Sequence, residues 1–150
     1  MADLKKLEGK IIDSLSEDFD GKNSYLIIKF KGGGKLNIVS YIRGDEGTAQ
    51  LDIDTGGLKP EEIVDKKIIK FKEEFDGEQD HLIIVLKGGN KIELTPFSSS
   101  PESTASLDTT VYSGDKIVAE SLDENMYRKR GQYVMSQPQY EEEEPDEDLD

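Results

Sequence analysis

The sequence predicts a mainly β protein, a small sandwich or barrel followed by a C-terminal helix and an acidic disordered tail. Three observations predict this class. Two segments match each other without a gap, and apolar and polar residues alternate in both. Similar turn residues interrupt both segments at the same places. The composition then changes at residue 98, where a Ser-rich stretch begins.

The matching segments are residues 7–41 (copy one) and residues 63–97 (copy two), related by an offset of 56 residues with 13 of 35 positions identical. We interpret them as a tandem duplication of one β unit. The predicted organisation is a duplicated β-domain over residues 1–97 with a connection at 42–62, a linker at 98–114, a helix at 115–131 and an acidic tail at 132–150.

Each copy predicts a meander of three strands. In copy one the strands cover residues 10–19 and 25–31 and a segment from residue 35. An Asp-Gly pair at 20–21 predicts the first turn, and Lys-Gly-Gly predicts the second, because glycine tolerates positive φ. One three-stranded unit cannot bury its apolar face alone, so the two copies are expected to face each other. In the connection, residues 50–54 alternate like a further strand.

The C-terminal third is predicted to differ from the β-domain. Residues 110–112 could form a short strand. Val118, Leu122 and Met126 recur every four residues, which predicts the helix over 115–131. The last ten residues alone carry a charge of −8, and blocks of like charge stay disordered until a basic partner orders them.

Charge and composition limit the partners. The net charge of −14 disfavours direct binding to nucleic acid or to anionic membranes and favours basic protein surfaces. No run of 18 apolar residues predicts a membrane span, and the first residues do not read as a signal peptide. The absence of cysteine excludes disulfides and thiolate sites. These features favour a cytoplasmic protein.

Candidate chemistry is sparse, so we expect no enzyme, no cofactor and no metal. His81 is the only histidine and is predicted on the outward face of a strand, with Asp80 on the other face. Residues 52–57 begin like a calcium loop, but Ile63 stands where the bidentate Glu is required. The glycine runs are predicted to be hairpin turns. The lysines that flank them, at positions 31, 35, 87 and 91, form a modest basic patch or keep the strand ends soluble.

Residues 7–12, 19–21 and 31–38 read Leu-Glu-Gly-Lys-Ile-Ile, Phe-Asp-Gly and Lys-Gly-Gly-Gly-Lys-Leu-Asn-Ile. This pattern resembles small uncharacterised β-rich proteins of bacteria and their phages. The resemblance covers residues 7–97 and implies a β-rich fold but no activity.

The sequence favours a non-enzymatic binding protein whose C-terminal region engages a basic, nucleic-acid-binding protein. A regulator or inhibitor encoded by a phage would have such a tail. Two alternatives stay open, an assembly component of a virion or larger complex and a small-ligand-binding β-domain. Aromatic and charged residues near the C-terminus are the predicted partner-binding residues. They are Tyr127, Arg128, Arg130, Tyr133, Tyr140, Glu141, Glu142, Glu143, Glu144, Asp146, Glu147 and Asp148.

Overall fold

The computed structural model describes residues 3–113 and 116–120, which form two antiparallel β-sheets. A 3-10 turn covers Lys5–Leu7, and one short helix, α1, covers Pro60–Ile63. The strands of the described part are β1 Ile12–Phe19, β2 Ser24–Phe30, β3 Lys35–Arg43, β4 Ala49–Asp54, β5 Ile68–Phe75, β6 Asp80–Leu86, β7 Lys91–Ser98, β8 Thr104–Ser113 and β9 Lys116–Glu120.

The first sheet has the order β1-β2-β3-β8-β9, and the second has the order β4-β7-β6-β5. The mainly β prediction is confirmed. Over residues 3–113 and 116–120 both sheets are open, so, of the two predicted alternatives, this part of the chain is a sandwich and not a closed barrel. The main core contains fully buried residues from both sheets, including Ile28 and Leu36 of the first and Ile84 and Ile92 of the second. This burial follows the predicted alternation, in which every second side chain of a central strand faces the core.

The two segments that match in sequence adopt the same three strands with the same register. Ile12 pairs with Phe30 in the first sheet, and Ile68 pairs with Leu86 at the equivalent place in the second. In both sheets the register shifts immediately after this pair, as at a β-bulge. Each meander is therefore built by the same local sequence, and each contributes one face of the core.

The fourth strand of each half belongs to the opposite sheet. β4 follows β3 along the chain but pairs with β7, and β8 follows β7 but pairs with β3. The two pairings are equivalent at the same offset of 56 residues, because Leu51 lies opposite Pro96 and Leu107 lies opposite Ser40. The sequence match also continues here, since residues 48–52 read Thr-Ala-Gln-Leu-Asp and residues 104–108 read Thr-Ala-Ser-Leu-Asp.

Two expectations for the C-terminal third are corrected. The predicted linker at 98–114 contains β8, whose Ala105, Leu107 and Val111 are buried, so this segment completes the first sheet. The first part of the predicted helix at 115–131 is instead a strand, because Lys116–Glu120 forms β9 and pairs with β8. A sheet edge offers unpaired backbone groups to the next segment, and this pairing replaces the helix at 116–120. Residues 121–131 lie outside the described part.

Candidate functional site

The hairpins of the two sheets gather at two ends of the sandwich, which we name the acidic pole and the basic pole. The acidic pole comprises residues 17–23, 43–48, 73–80 and 98–104. The basic pole comprises residues 3–13, 29–35, 55–70 and 85–91. The two sheets are aligned because the loop after β3 contacts the loop after β7. The equivalent hairpins of the two halves therefore lie at the same end of the sandwich. In that contact Ser99 donates its backbone N–H to the Thr48 carbonyl at 2.9 Å.

The acidic pole concentrates negative charge. It contains eleven acidic residues and two basic ones, Lys22 and Arg43, for a net charge of −9. The acidic residues are Glu17, Asp18, Asp20, Asp45, Glu46, Glu73, Glu74, Asp76, Glu78, Asp80 and Glu102. All of these side chains belong to exposed residues. Such a surface attracts basic partners and speeds their association.

Two equivalent turns give this pole a fixed geometry. Asp20 Oδ1 accepts the backbone N–H groups of Lys22 and Asn23 at 2.9 and 2.7 Å. Asp76 Oδ1 accepts those of Glu78 and Gln79 at 2.9 and 3.0 Å. An aspartate that bonds the backbone two residues ahead closes an Asx turn, which is the physical reason why Asp precedes Gly at both places.

The second oxygen of each aspartate binds an aromatic side chain of the next strand. Tyr25 donates its hydroxyl to Asp20 Oδ2 at 2.8 Å, and His81 Nε2 lies 2.8 Å from Asp76 Oδ2. His81 Nδ1 also lies 2.9 Å from Thr95 Oγ1. The His81 hydrogen bond, with those of two backbone N–H groups, lowers the pKa of Asp76 from 3.8 to about 2.

His81 therefore lies on the outward face as expected, but with an orienting carboxylate that the sequence reasoning missed. The carboxylate that contacts His81 belongs to Asp76, five residues earlier across the turn, and not to the adjacent Asp80. The sequence did contain an indication of this contact, because Asp20 and Tyr25 of copy one have the same spacing of five residues as Asp76 and His81.

Two phenylalanines are exposed at the acidic pole. Phe19 ends β1 and is 49% exposed, and the equivalent Phe75 ends β5 and is 66% exposed. Each lies four residues after an apolar residue of the same edge strand that packs against the core, Leu15 in β1 and Phe71 in β5. Because side chains alternate along a strand, Phe19 and Phe75 lie on the same face as those residues. Large exposed apolar side chains within a polar rim are typical of binding surfaces.

The basic pole has the opposite charge. It contains twelve lysines and six acidic residues, for a net charge of +6. The lysines are Lys5, Lys6, Lys10, Lys29, Lys31, Lys35, Lys59, Lys66, Lys67, Lys70, Lys87 and Lys91. The predicted patch at positions 31, 35, 87 and 91 is thus part of a larger surface. In the middle of the basic pole, an isolated β-bridge joins Ile11 to Lys67, which occupy equivalent positions in the two halves.

Neither pole contains a cluster of metal-binding side chains within the described residues. In that part of the chain, no three His, Cys, Asp or Glu side chains converge to hold a metal ion. His81 forms hydrogen bonds with Asp76 and Thr95, and its Nδ1 also lies 3.6 Å from Glu93 Oε2. Over the same residues, no helix has the length and apolar character that crossing a membrane requires.

The predicted partner-binding residues, from Tyr127 to Asp148, lie outside the described residues, so they stay a prediction. Comparison of the chain with protein-family models, with curated proteins and with solved structures found no match. The two poles are the candidate functional surfaces of the described residues.

Proposed function

We propose that this chain is a non-enzymatic binding protein that engages a basic protein surface through its acidic regions. The observation that carries the proposal is the acidic pole, where eleven acidic residues surround the exposed Phe19 and Phe75. Residues 141–150 add a charge of −8 and extend the same chemistry. A nucleic-acid-binding protein is the expected partner, because its surface is already suited to a polyanion.

Charge and apolar area have separate roles in this proposal. The carboxylates accelerate encounter with a basic surface and select against acidic partners. The phenylalanines contribute the affinity, because burial of an exposed aromatic ring yields roughly 2 kcal/mol or more at a hot spot. Of the two, Phe75 has more area to bury, since 66% of it is exposed.

The Asx turns support this role because they fix the acidic loops before a partner arrives. Asp20 and Asp76 each bond two backbone N–H groups and one aromatic side chain. A preorganised surface loses less conformational entropy on binding.

We further propose that the two matching halves arose by duplication, which would have produced the two turns together. We also propose that the protein acts in the cytoplasm as a regulator or inhibitor.

The experiment starts with affinity capture by the full chain, followed by purification of the captured partner and calorimetry of the pair. The double variant Phe19→Ala/Phe75→Ala should weaken Kd at least 30-fold, which corresponds to about 2 kcal/mol. Ile69→Ala is the matched control, because Ile69 is also exposed, at 44%, but lies at the basic pole. It should change Kd by less than about twofold.

The electrostatic component is tested on the same pair. Raising the salt concentration from 50 to 500 mM should weaken the complex of the full chain. Neutralisation of the carboxylates at 141–148 should reduce that salt dependence. If the Phe double variant binds as the wild type does and salt has no effect, the acidic regions do not recognise the partner and the proposal fails.

A further inference from the structure

We propose that the basic pole is a docking site for the acidic residues 141–150 of the same chain. The inference rests on the proposed function, because the docked segment is one that would engage the basic partner. It adds a form of regulation to that function. A partner must then compete with the chain's own lysines for the acidic segment.

Charge complementarity selects this pole. The basic pole carries a net charge of +6, whereas the acidic pole carries −9. The other charged residues of 3–113 are one lysine and four acidic residues, Lys72, Asp52, Asp54, Glu93 and Asp108. Within that range the basic pole is therefore the surface that attracts a segment of charge −8.

The shape of the pole suits an extended acidic chain. The hairpin between β2 and β3 contains Gly32, Gly33 and Gly34, which all have positive φ and carry no side chain of their own to cover its backbone. An open cleft of about 380 Å³ on one side of the hairpin is lined by residues that include Lys6 and Lys10. A second cleft of about 630 Å³ on the other side is lined by residues that include Lys29, Lys31 and Lys35.

Most of these lysines are uncompensated by their surroundings. Lys31 is the exception, with its Nζ 2.7 Å from Asp65 and 3.9 Å from Asp13, and the Asp65 carboxylate raises the pKa of Lys31. Within the described residues, Lys6, Lys10 and Lys29 have no carboxylate within 4.0 Å. Lys35 Nζ lies 4.8 Å from the centre of the Tyr112 ring, which holds its ammonium beside the hairpin.

The acidic segment is long enough to reach the pole. The described part ends with β9 at Glu120, and twenty residues separate Glu120 from Glu141. Twenty residues span at most about 70 Å, whereas a strand of nine residues is roughly 30 Å long. Covalent attachment also gives the segment an effective concentration near the millimolar range, which favours its own pole over that of a second copy.

The test uses the full chain with a spin label at Leu149→Cys, which is specific because the sequence contains no cysteine. Paramagnetic broadening of backbone amide signals reports which surface the label approaches. At low salt, broadening is expected at residues 32–34 and not at the turn 20–23 of the acidic pole. It should disappear at 500 mM salt.

Two charge variants sharpen the result. The variant Lys6→Gln/Lys10→Gln/Lys29→Gln/Lys35→Gln should abolish the broadening. The control Lys22→Gln/Lys72→Gln should retain it, because those two lysines lie outside the pole. A circular dichroism spectrum confirms that each variant remains folded. The first variant should also bind the basic partner several-fold more tightly, since competition is removed.

Equal broadening at both poles, or none at residues 32–34, would overturn the inference. So would broadening that arises between chains when labelled and isotope-enriched molecules are mixed. Failure of the proposed function is distinguishable, because the broadening is measured without any partner. A chain that shows the broadening but binds no basic protein would retain the docking site and lose the proposed function.

Discussion

Leu107→Ala tests whether β8 is part of the core. Leu107 is 5% exposed and belongs to the main core cluster, opposite Ser40 of β3. The substitution removes three carbon atoms, which at about 0.8 kcal/mol each gives about 2.4 kcal/mol of lost transfer free energy. A residual cavity raises the expected destabilisation to about 3 kcal/mol. For a domain of this size the melting temperature should fall by roughly 15 °C.

Urea unfolding followed by far-UV circular dichroism measures the effect. The midpoint should fall while the slope m stays unchanged, because the native surface is the same. Thr104→Ala is the matched control, since Thr104 is an exposed residue of the same strand. A change below about 0.5 kcal/mol for Leu107→Ala would show that β8 is not part of the core, because substitution of an exposed residue gives such a value. The β-domain would then end with β7.

Three further predictions concern the exchanged strands, the contact between Asp76 and His81, and the backbone conformation of Gly9. Fragments 1–58 and 59–120 should each fail to fold alone and should reconstitute the sandwich when mixed, because 1–58 lacks β8 and β9 of the first sheet and 59–120 lacks β4 of the second. A folded monomer of 1–58 by NMR would contradict this. Asp76 in the wild type should titrate by carboxyl NMR at about 2, against 3.8 ordinarily, so its contribution to stability is full above pH 4 and is lost as the pH falls towards 2. His81→Phe should return this pKa towards 3.8, and an unchanged pKa would exclude the contact as its cause. Gly9→Ala should cost about 1–2 kcal/mol in urea unfolding, because φ is +91° although no atom lies within 4 Å of the added Cβ; an unchanged stability would remove the argument from backbone strain.

The six strands of the two meanders were readable from local sequence. Alternation at Leu26, Ile28 and Phe30 has period two, and the turns at 20–21 and 32–34 carry residues that tolerate the required backbone. The predicted strand at 50–54 agrees with β4 to one residue. These features depend on neighbours in sequence, and for this reason they are predictable.

The exchange of the fourth strands was not predictable in the same way. A strand at 49–54 has the same alternation whether it pairs with β3 or with β7. The strand predicted at 110–112 lies within β8, but residues 104–109 were assigned to a linker, because Ser and Thr residues and a Ser-rich segment are typical of one. The available signal was the match of Thr104, Ala105, Leu107 and Asp108 with residues 48–52, beyond the ends of the aligned segments.

The two poles could not be derived from the composition. Residues 1–97 have a net charge of only −4, which reads as nearly balanced. The separation appears only when the hairpins of both sheets are placed at their ends of the sandwich. At β9, the spacing of Val118, Leu122 and Met126 indicated a helix, but Lys116–Glu120 pairs with β8 as a strand.

The most direct test of the proposed function is an amide chemical-shift map of the isotope-labelled chain titrated with its purified basic partner. We expect that within residues 3–113 the largest changes fall at the backbone amides of 17–23 and 73–80, which include the exposed Phe19 and Phe75. Smaller changes at residues 29–35 would report release of the docked acidic segment. Changes confined to the outward face of either sheet, with the acidic pole unaffected, would contradict the account.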